Sequence, residues 1–181
     1  QTPKQSLYGL TLTQLQSLCS ELALPRFAAK QIARWLYVRR VKSIEQMTDL
    51  SKAARAALEE RYELGLTAPL KESESIDGTK KYLFRTSQGE YIESAYIPDG
   101  ERATLCVSSQ AGCRMGCRFC ATGRQGLQNS LSTNEIINQI LSIPESERLT
   151  NLVFMGMGEP LDNIENVLEA LEIITSAWGM A

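Results

Sequence analysis

The sequence predicts an α/β protein in three parts: an N-terminal helical domain over residues 1–65, a linker and β-meander over 66–98, and two strand–loop–helix units over 99–181. Three observations predict it. Leucines recur at helical spacing in the first segment. Turn dipeptides then punctuate short β-favouring runs. Beyond residue 103, strand, loop and helix follow one another twice.

In the first part, Leu12, Leu15, Leu18 and Leu22 follow Thr11, a residue suited to cap a helix. Pro25 opens a second helix whose apolar stripe reads Phe27, Ile32, Trp35 and Leu36. Ser51 caps a third, with Ala54, Leu58 and Tyr62 inward, and Gly65 to Pro69 is the linker. In the second part, Asp77-Gly78 and Gln88-Gly89 separate β-favouring runs, one carrying Tyr82 and Phe84, the next Tyr91, Ile92, Tyr96 and Ile97. Asp99-Gly100 ends the second run and leads into a strand at 103–108.

In the third part, Ser132-Thr133-Asn134-Glu135 is a capping box opening a helix with Ile136, Ile137, Ile140 and Leu141. The run Leu152–Met157 reads as a strand covered on both faces. A helix follows from Asp162 or Asn163, with Ile164, Val167, Leu168, Leu171 and Ile174 inward. Alternating strands and helices imply parallel strands, and the two loops fall at carboxyl ends, where α/β folds place their sites.

Composition narrows the chemistry. The 181 residues, 43% hydrophobic, suffice for a real core, and no apolar run approaches the roughly 20 residues that span a bilayer. The polar stretch Gln1 to Gly9 lacks the apolar segment of a signal peptide. The chain begins with Gln rather than Met and stops at Ala181 just after a helical stretch, which reads as a piece of a longer protein. There is no histidine, so imidazole bases, His-ligated zinc and Ser–His or Cys–His pairs are excluded within it. The net charge of −2 hides an asymmetry: residues 1–65 carry ten basic and six acidic side chains, residues 66–181 nine and fifteen.

Five cysteines, four of them clustered, suit a reducing cytoplasm and metal ligation better than a disulfide scaffold. Cys113-x3-Cys117-x2-Cys120 gathers three thiols in one short loop. Thiolates are ligands for iron–sulfur clusters or zinc. A structural zinc site needs four ligands, and the fourth would have to be Cys106 or Cys19. A cube of four irons held by three thiolates leaves one iron open to an outside ligand. Gly112 and Gly116 let the backbone turn tightly, and Arg114, Arg118 and Arg124 can offset cluster charge or attract phosphate. The second motif, Gly156-Met157-Gly158-Glu159-Pro160, follows the apolar strand. Its glycines permit close approach to the backbone, and Pro160 holds Glu159 extended so that its carboxylate can accept hydrogen bonds from an ammonium group.

With the cysteine loop after one strand and Gly156–Pro160 after the next, the chain resembles the radical S-adenosylmethionine enzymes. The run Leu105-Cys106-Val107-Ser108-Ser109-Gln110, the loop ending Cys120-Ala121-Thr122-Gly123 and the Gly156–Pro160 motif are similar, more narrowly, to the bacterial RNA methyltransferases that act on adenine C2. The resemblance implies the first two βα units of an incomplete radical-SAM (β/α) barrel after the helical domain and the β-meander. Cys113, Cys117 and Cys120 would ligate a 4Fe–4S cluster. Gly158 and Glu159 would hold the methionine end of S-adenosyl-L-methionine. Glu93 falls where the family keeps an acid–base glutamate, and Cys106 where it keeps a resolving thiol that forms a disulfide with a methyl-bearing cysteine. That second cysteine lies late in the family's chains, and Cys19 matches nothing in the motif, so the resemblance implies a fragment that does not turn over alone.

The implied partners are 23S rRNA, tRNA and an electron donor such as a flavodoxin or ferredoxin, in the cytoplasm and with no membrane. The basic residues Lys30, Arg34, Arg39, Arg40 and Lys42 can contact phosphates, and Trp35 and Tyr37 can pack or stack. Three other readings are a sibling enzyme methylating adenine C8, a structural or electron-transfer metal protein with a fourth protein ligand, and an RNA-binding module without activity.

Overall fold

The computed structural model describes residues 3–181; Gln1 and Thr2, which open the polar N-terminal stretch, lie outside the described residues. The described chain forms two compact units, one of residues up to Leu66 together with Leu168–Ala181, the other of Thr67–Val167.

The first unit is mainly helical. Helix α1 (Leu12–Glu21) starts with a full capping box, in which Thr11 and Gln14 satisfy each other's backbone N–H groups. Helix α2 (Ala28–Ala33) runs directly into a π-helical turn (Arg34–Val38). Helix α3 (Lys52–Arg61) is capped by the Ser51 hydroxyl. Two short strands escape the helical reading: β1 (Gln5–Ser6) pairs in parallel with β2 (Tyr62–Glu63). The core holds Leu7, Tyr8, Leu15, Ile32, Leu36, Tyr37, Met47 and Leu58. Tyr37 is pinned at both faces of its hydroxyl, accepting from the Gly9 N–H and donating to the Leu10 carbonyl at 2.7 Å. Tyr8 and Trp178 meet its ring edge-on.

Two sequence expectations change here. Phe27 is 65% exposed and belongs to no inward stripe. It precedes the first turn of α2, where Ala28, Ala29, Ile32 and Ala33 face the core. Trp35 and Tyr37 are buried and therefore pack rather than stack on a ligand. Trp35 donates its indole N–H to Asp49, and Arg39 lies over its ring at 4.2 Å from the centroid.

The second unit is built on a sheet in the order β3-β4-β5-β6-β9. Strands β3 (Lys71–Glu74), β4 (Lys80–Arg85), β5 (Tyr91–Asp99) and β6 (Arg102–Cys106) form an antiparallel meander. Gly78, Gly89 and Gly100, all at positive φ, make its turns. Strand β9 (Asn151–Val153) joins β6 in parallel, Leu105 opposite Leu152 and Cys106 opposite Val153. Both strands are shorter than the sequence suggests, because the chain bends away into loops at Val107 and Phe154. Helix α5 (Thr133–Leu141), opened by the Ser132/Glu135 capping box, buries Ile136, Ile137, Ile140 and Leu141. The sheet face bearing Tyr82, Phe84, Ile92, Ser94, Tyr96 and Leu105 is buried. The opposite face carries Glu93, Ala95, Thr104 and Cys106, which are exposed or half-buried.

A hairpin that the sequence reading lacked follows. Strand β7 (Gln110–Cys113) pairs with β8 (Gly126–Ser130), and the short helix α4 (Ala121–Gln125) lies between them. In helix α6 (Ile164–Thr175) the buried positions are Val167, Ala170 and Ile173, so of the stripe expected only Val167 is buried. Ile164, Leu168 and Leu171 are exposed, because the capping turn Pro160–Asn163 rotates the helix so that Asn163 faces inward.

Candidate active site

The cysteine loop hangs from the β7–β8 hairpin. Cys113 ends β7, is buried and pairs with Gly126 of β8, so the loop's two ends are fixed side by side. Gly112 makes this possible: at φ 75°, a Cβ there would stand 1.9 Å from the Gly126 carbonyl oxygen. Within the loop, the Cys120 N–H donates to the Cys117 carbonyl at 3.1 Å and the Arg124 N–H to the Cys120 carbonyl at 3.2 Å. Cys117 is exposed and Cys120 half-buried. Arg124 donates its guanidinium to the Arg118 carbonyl at 3.0 Å. The loop residues Met115 and Phe119 are exposed, Phe119 at 91%. Among the described residues, no three Cys, Asp or Glu side chains stand gathered to hold a metal ion. The donor set is three thiols within eight residues and no imidazole, which suits an iron–sulfur cluster.

The Gly156–Pro160 turn packs against the segment that enters this hairpin. Ser109 and Gln110 both donate backbone N–H groups to the Met157 carbonyl, at 2.8 and 3.2 Å. A Cβ at Gly156 would lie 2.7 Å from the Ser108 Oγ, and one at Gly158 (φ 95°) 2.5 Å from the Gln110 Cβ. The glycines therefore admit the protein's own 107–110 segment. The Glu159 carboxylate accepts from the Leu161 N–H at 3.1 Å, and its backbone N–H donates to the Gln110 Oε1 at 3.0 Å. Three residues on, Asp162 accepts from Arg114 of the cysteine loop at 2.7 Å and from Gln110 at 2.9 Å. The Gln110 amide and the Arg114 guanidinium hold the Asp162 carboxyl below its ordinary value.

Glu93 and Cys106 lie apart from that junction, on the open sheet face. The Glu93 side chain is exposed and 3.8 Å from Lys81, while its backbone carbonyl accepts from the Ser108 hydroxyl at 2.5 Å. Burial pushes the Cys106 thiol above its ordinary value. All five cysteines are free thiols.

Sequence reasoning missed the polar residues that join these parts. Ser108, Gln110, Gln139 and Asn163 are buried and bonded. Gln139 accepts from the Ser94 hydroxyl and the Ser108 N–H and donates to the Ser108 carbonyl, all within 2.9 Å. Ser108 in turn accepts from the Met157 N–H at 2.8 Å. Asn163 donates to the carbonyls of Ser109 and Leu131, each at 2.8 Å. The one available signal was a Ser-Ser-Gln run directly after an apolar strand.

Two loops at the carboxyl ends of neighbouring parallel strands, one with three thiols and one with a glycine-flanked carboxylate, define a radical SAM core. Residues 107–179 match the model of the Radical SAM superfamily, and residues 5–64 match that of the ribosomal RNA large subunit methyltransferase N-terminal domain. The chain thus carries an RlmN-type N-terminal domain followed by a radical SAM domain. It is 58% identical over 99% of its length to a probable dual-specificity RNA methyltransferase RlmN of Phocaeicola vulgatus, covering 51% of that protein. It is 42% identical over 97% of its length to the dual-specificity RNA methyltransferase RlmN of Bdellovibrio bacteriovorus, covering 45% of it. A crystal structure of a radical SAM methyltransferase from Sphaerobacter thermophilus superposes with a TM-score of 0.86 at 39% identity, over 97% of this chain and 53% of that one. The chain spans about half the length of the curated relatives it matches. Among the described residues, no helix is long and apolar enough to cross a membrane.

Proposed function

We propose that this chain carries the cluster-binding half of a cytoplasmic RNA methyltransferase that places a methyl group on adenine C2 of 23S rRNA and tRNA. Its parts would be the RNA-contacting helical domain of residues 1–65, the linker and meander of 66–98 and the core of 99–181. The observation that carries this reading is the junction of the two motif loops, tied by Arg114 and Asp162 at 2.7 Å. It ties the residue after Cys113 to the turn that follows Glu159.

Cys113, Cys117 and Cys120 would hold a 4Fe–4S cluster. Bound there with S-adenosyl-L-methionine, the cluster would supply one-electron reductive chemistry, with a flavodoxin or ferredoxin as the electron donor. Gly158 offers backbone and Glu159 a carboxylate for the cofactor's ammonium group, exchanging its present partner, the Leu161 N–H, for the ligand. Adenine C2 is electron-poor, so the family reading routes the methyl group through a protein cysteine. None of the five thiols here fills that role, since Cys19 is buried in α1 of the helical unit. Cys106 would be the thiol that releases product by disulfide formation. Glu93, exposed on the open face of the sheet, would move the proton at the base. Lys30, Arg34, Arg39, Arg40 and Lys42 would contact RNA phosphates through charge, while the buried Trp35 and Tyr37 pack inside.

Anaerobic reconstitution of this chain with iron and sulfide, followed by electron paramagnetic resonance of the reduced sample, tests the reading. A signal that changes when S-adenosylmethionine is added supports it. Full cysteinyl coordination, or a spectrum indifferent to the cofactor, would replace it with a structural metal site. An extended RNA-phosphate interface predicts that affinity for a tRNA falls steeply with salt.

A further inference from the structure

We infer that Gln110 is a positioning residue that locks the Glu159 turn against the cysteine loop, so that cofactor and cluster ligands are held in one fixed relation. This rests on the reading of Gly158 and Glu159 as cofactor contacts.

Gln110 is fully buried, and its carboxamide faces three segments at once. Its Oε1 accepts from the Glu159 N–H at 3.0 Å, and its Nε2 donates to Asp162 at 2.9 Å and to the Ser130 hydroxyl at 3.2 Å. The orientation of the amide follows from these partners: an N–H on one side requires the oxygen, a carboxylate on the other requires the nitrogen. Asp162 then passes the constraint to Arg114, the residue after Cys113. Gln110 itself lies in β7, three residues before Cys113. One buried side chain thus stands between the first thiol of the cluster loop and the backbone of the proposed cofactor carboxylate. There is no slack beside it, since a Cβ on Gly158 would come within 2.6 Å of the Gln110 backbone nitrogen. Leaving the Glu159 N–H without its acceptor would free the turn to move as a unit, displacing the carboxylate without touching it.

The test uses the whole chain, reconstituted anaerobically, with three readouts: cluster content from iron and sulfide, affinity for S-adenosylmethionine by equilibrium dialysis, and hydrogen exchange of the peptide containing Glu159. Gln110→Ala is expected to keep its cluster content, bind the cofactor about tenfold more weakly and exchange about tenfold faster at Glu159. Asp162→Ala, which leaves the buried amide in place, is expected to show smaller changes in the same direction and serves if Gln110→Ala fails to fold. Gln110→Glu keeps an acceptor for the Glu159 N–H but sets a carboxylate oxygen, in place of the donor, against Asp162 Oδ2, the atom that also accepts from Arg114. It is expected to exchange more slowly at Glu159 than Gln110→Ala while still binding the cofactor more weakly than the unsubstituted chain. If the single variants bind cofactor as the unsubstituted chain does, or if Gln110→Glu exchanges at Glu159 as fast as Gln110→Ala, the positioning role is refuted while the cofactor site stands. If the unsubstituted chain itself ignores the cofactor, the reading of Gly158 and Glu159 fails, and this inference with it.

Discussion

Cys106 stands one diagonal step from Glu93 on the same face of the sheet: it lies directly opposite Ala95, and Glu93 precedes Ala95 by two residues on the neighbouring strand. Diagonal neighbours on an antiparallel pair are about 7–8 Å apart, so thiol and carboxylate share one patch of the sheet. The face they share is the one left uncovered, while Ser94, Tyr96 and Leu105 take the buried one.

The environments of the thiols predict their reactivity. Burial raises Cys106 and Cys19 above the ordinary value of 9.0, so at neutral pH their thiolate fraction is depleted, and it recovers only as pH rises past that value. Cys117 is exposed. Brief alkylation of the metal-free chain with iodoacetamide, read by peptide mass spectrometry, should label Cys117 about tenfold faster than Cys106 or Cys19. Equal rates at neutral pH would contradict the burial of Cys19 and the half-burial of Cys106.

Gly158→Ala is expected to cost roughly 2–5 kcal/mol, from a left-handed φ combined with overpacking against Gln110. The comparison is Gly100→Ala, also at positive φ but with nothing within 4 Å of the added Cβ, which should cost only about 1–2 kcal/mol. Denaturant midpoints of the two variants measure the difference. Equal losses would mean that the Gly156–Pro160 turn does not press on the 107–110 segment.

Gln139→Ala removes, in one change, the acceptor of Ser94 and Ser108 and a donor to the Ser108 carbonyl, all inside the fold. The expected loss is about 2–4 kcal/mol, because the orphaned groups are buried. Ser108 also links the Glu93 carbonyl to the Met157 N–H, so hydrogen exchange should quicken at Met157 as well as in β6. A loss of stability without that quickening would separate Ser108 from the placement of the turn.

What the sequence made legible, it did through local signals. Thr11, Ser51 and Ser132 cap the helices they were expected to cap, because a hydroxyl reaching back to the third N–H needs no tertiary partner. The meander turns at Gly78, Gly89 and Gly100 for the same kind of reason. The α6 stripe was misjudged because it has apolar residues on two faces, and only the tertiary anchor at Asn163 decides between them. The β7–β8 hairpin was invisible: Gln-Ala-Gly-Cys and Gly-Leu-Gln-Asn-Ser have no strand-like alternation, and their pairing closes a loop of twelve residues between Cys113 and Gly126. The cysteine and glycine motifs could be read by spacing, but the amides that align them bond over long sequence separations and leave no local trace.

Glu145 offers the last test. It is buried beside β4, accepting from the Tyr82 hydroxyl at 2.6 Å and from Lys80 at 2.8 Å, while Lys80 also reaches Glu72 at 3.1 Å. Burial alone would raise the Glu145 carboxyl, but the hydrogen bonds from Lys80 and Tyr82 outweigh it and leave the group below its ordinary value of 4.5. A carboxyl depressed in the folded state stabilises the fold fully above its unfolded value, and that contribution is lost as pH falls through the folded one. Glu145→Gln should therefore cost about 1–2 kcal/mol at neutral pH, and the cost should shrink below pH 4.5 as the parent's own carboxyl takes up its proton. Thermal melts of both chains across the acid range decide the matter: parallel curves at all pH values would show that the carboxylate is not what holds Tyr82 and Lys80 in place.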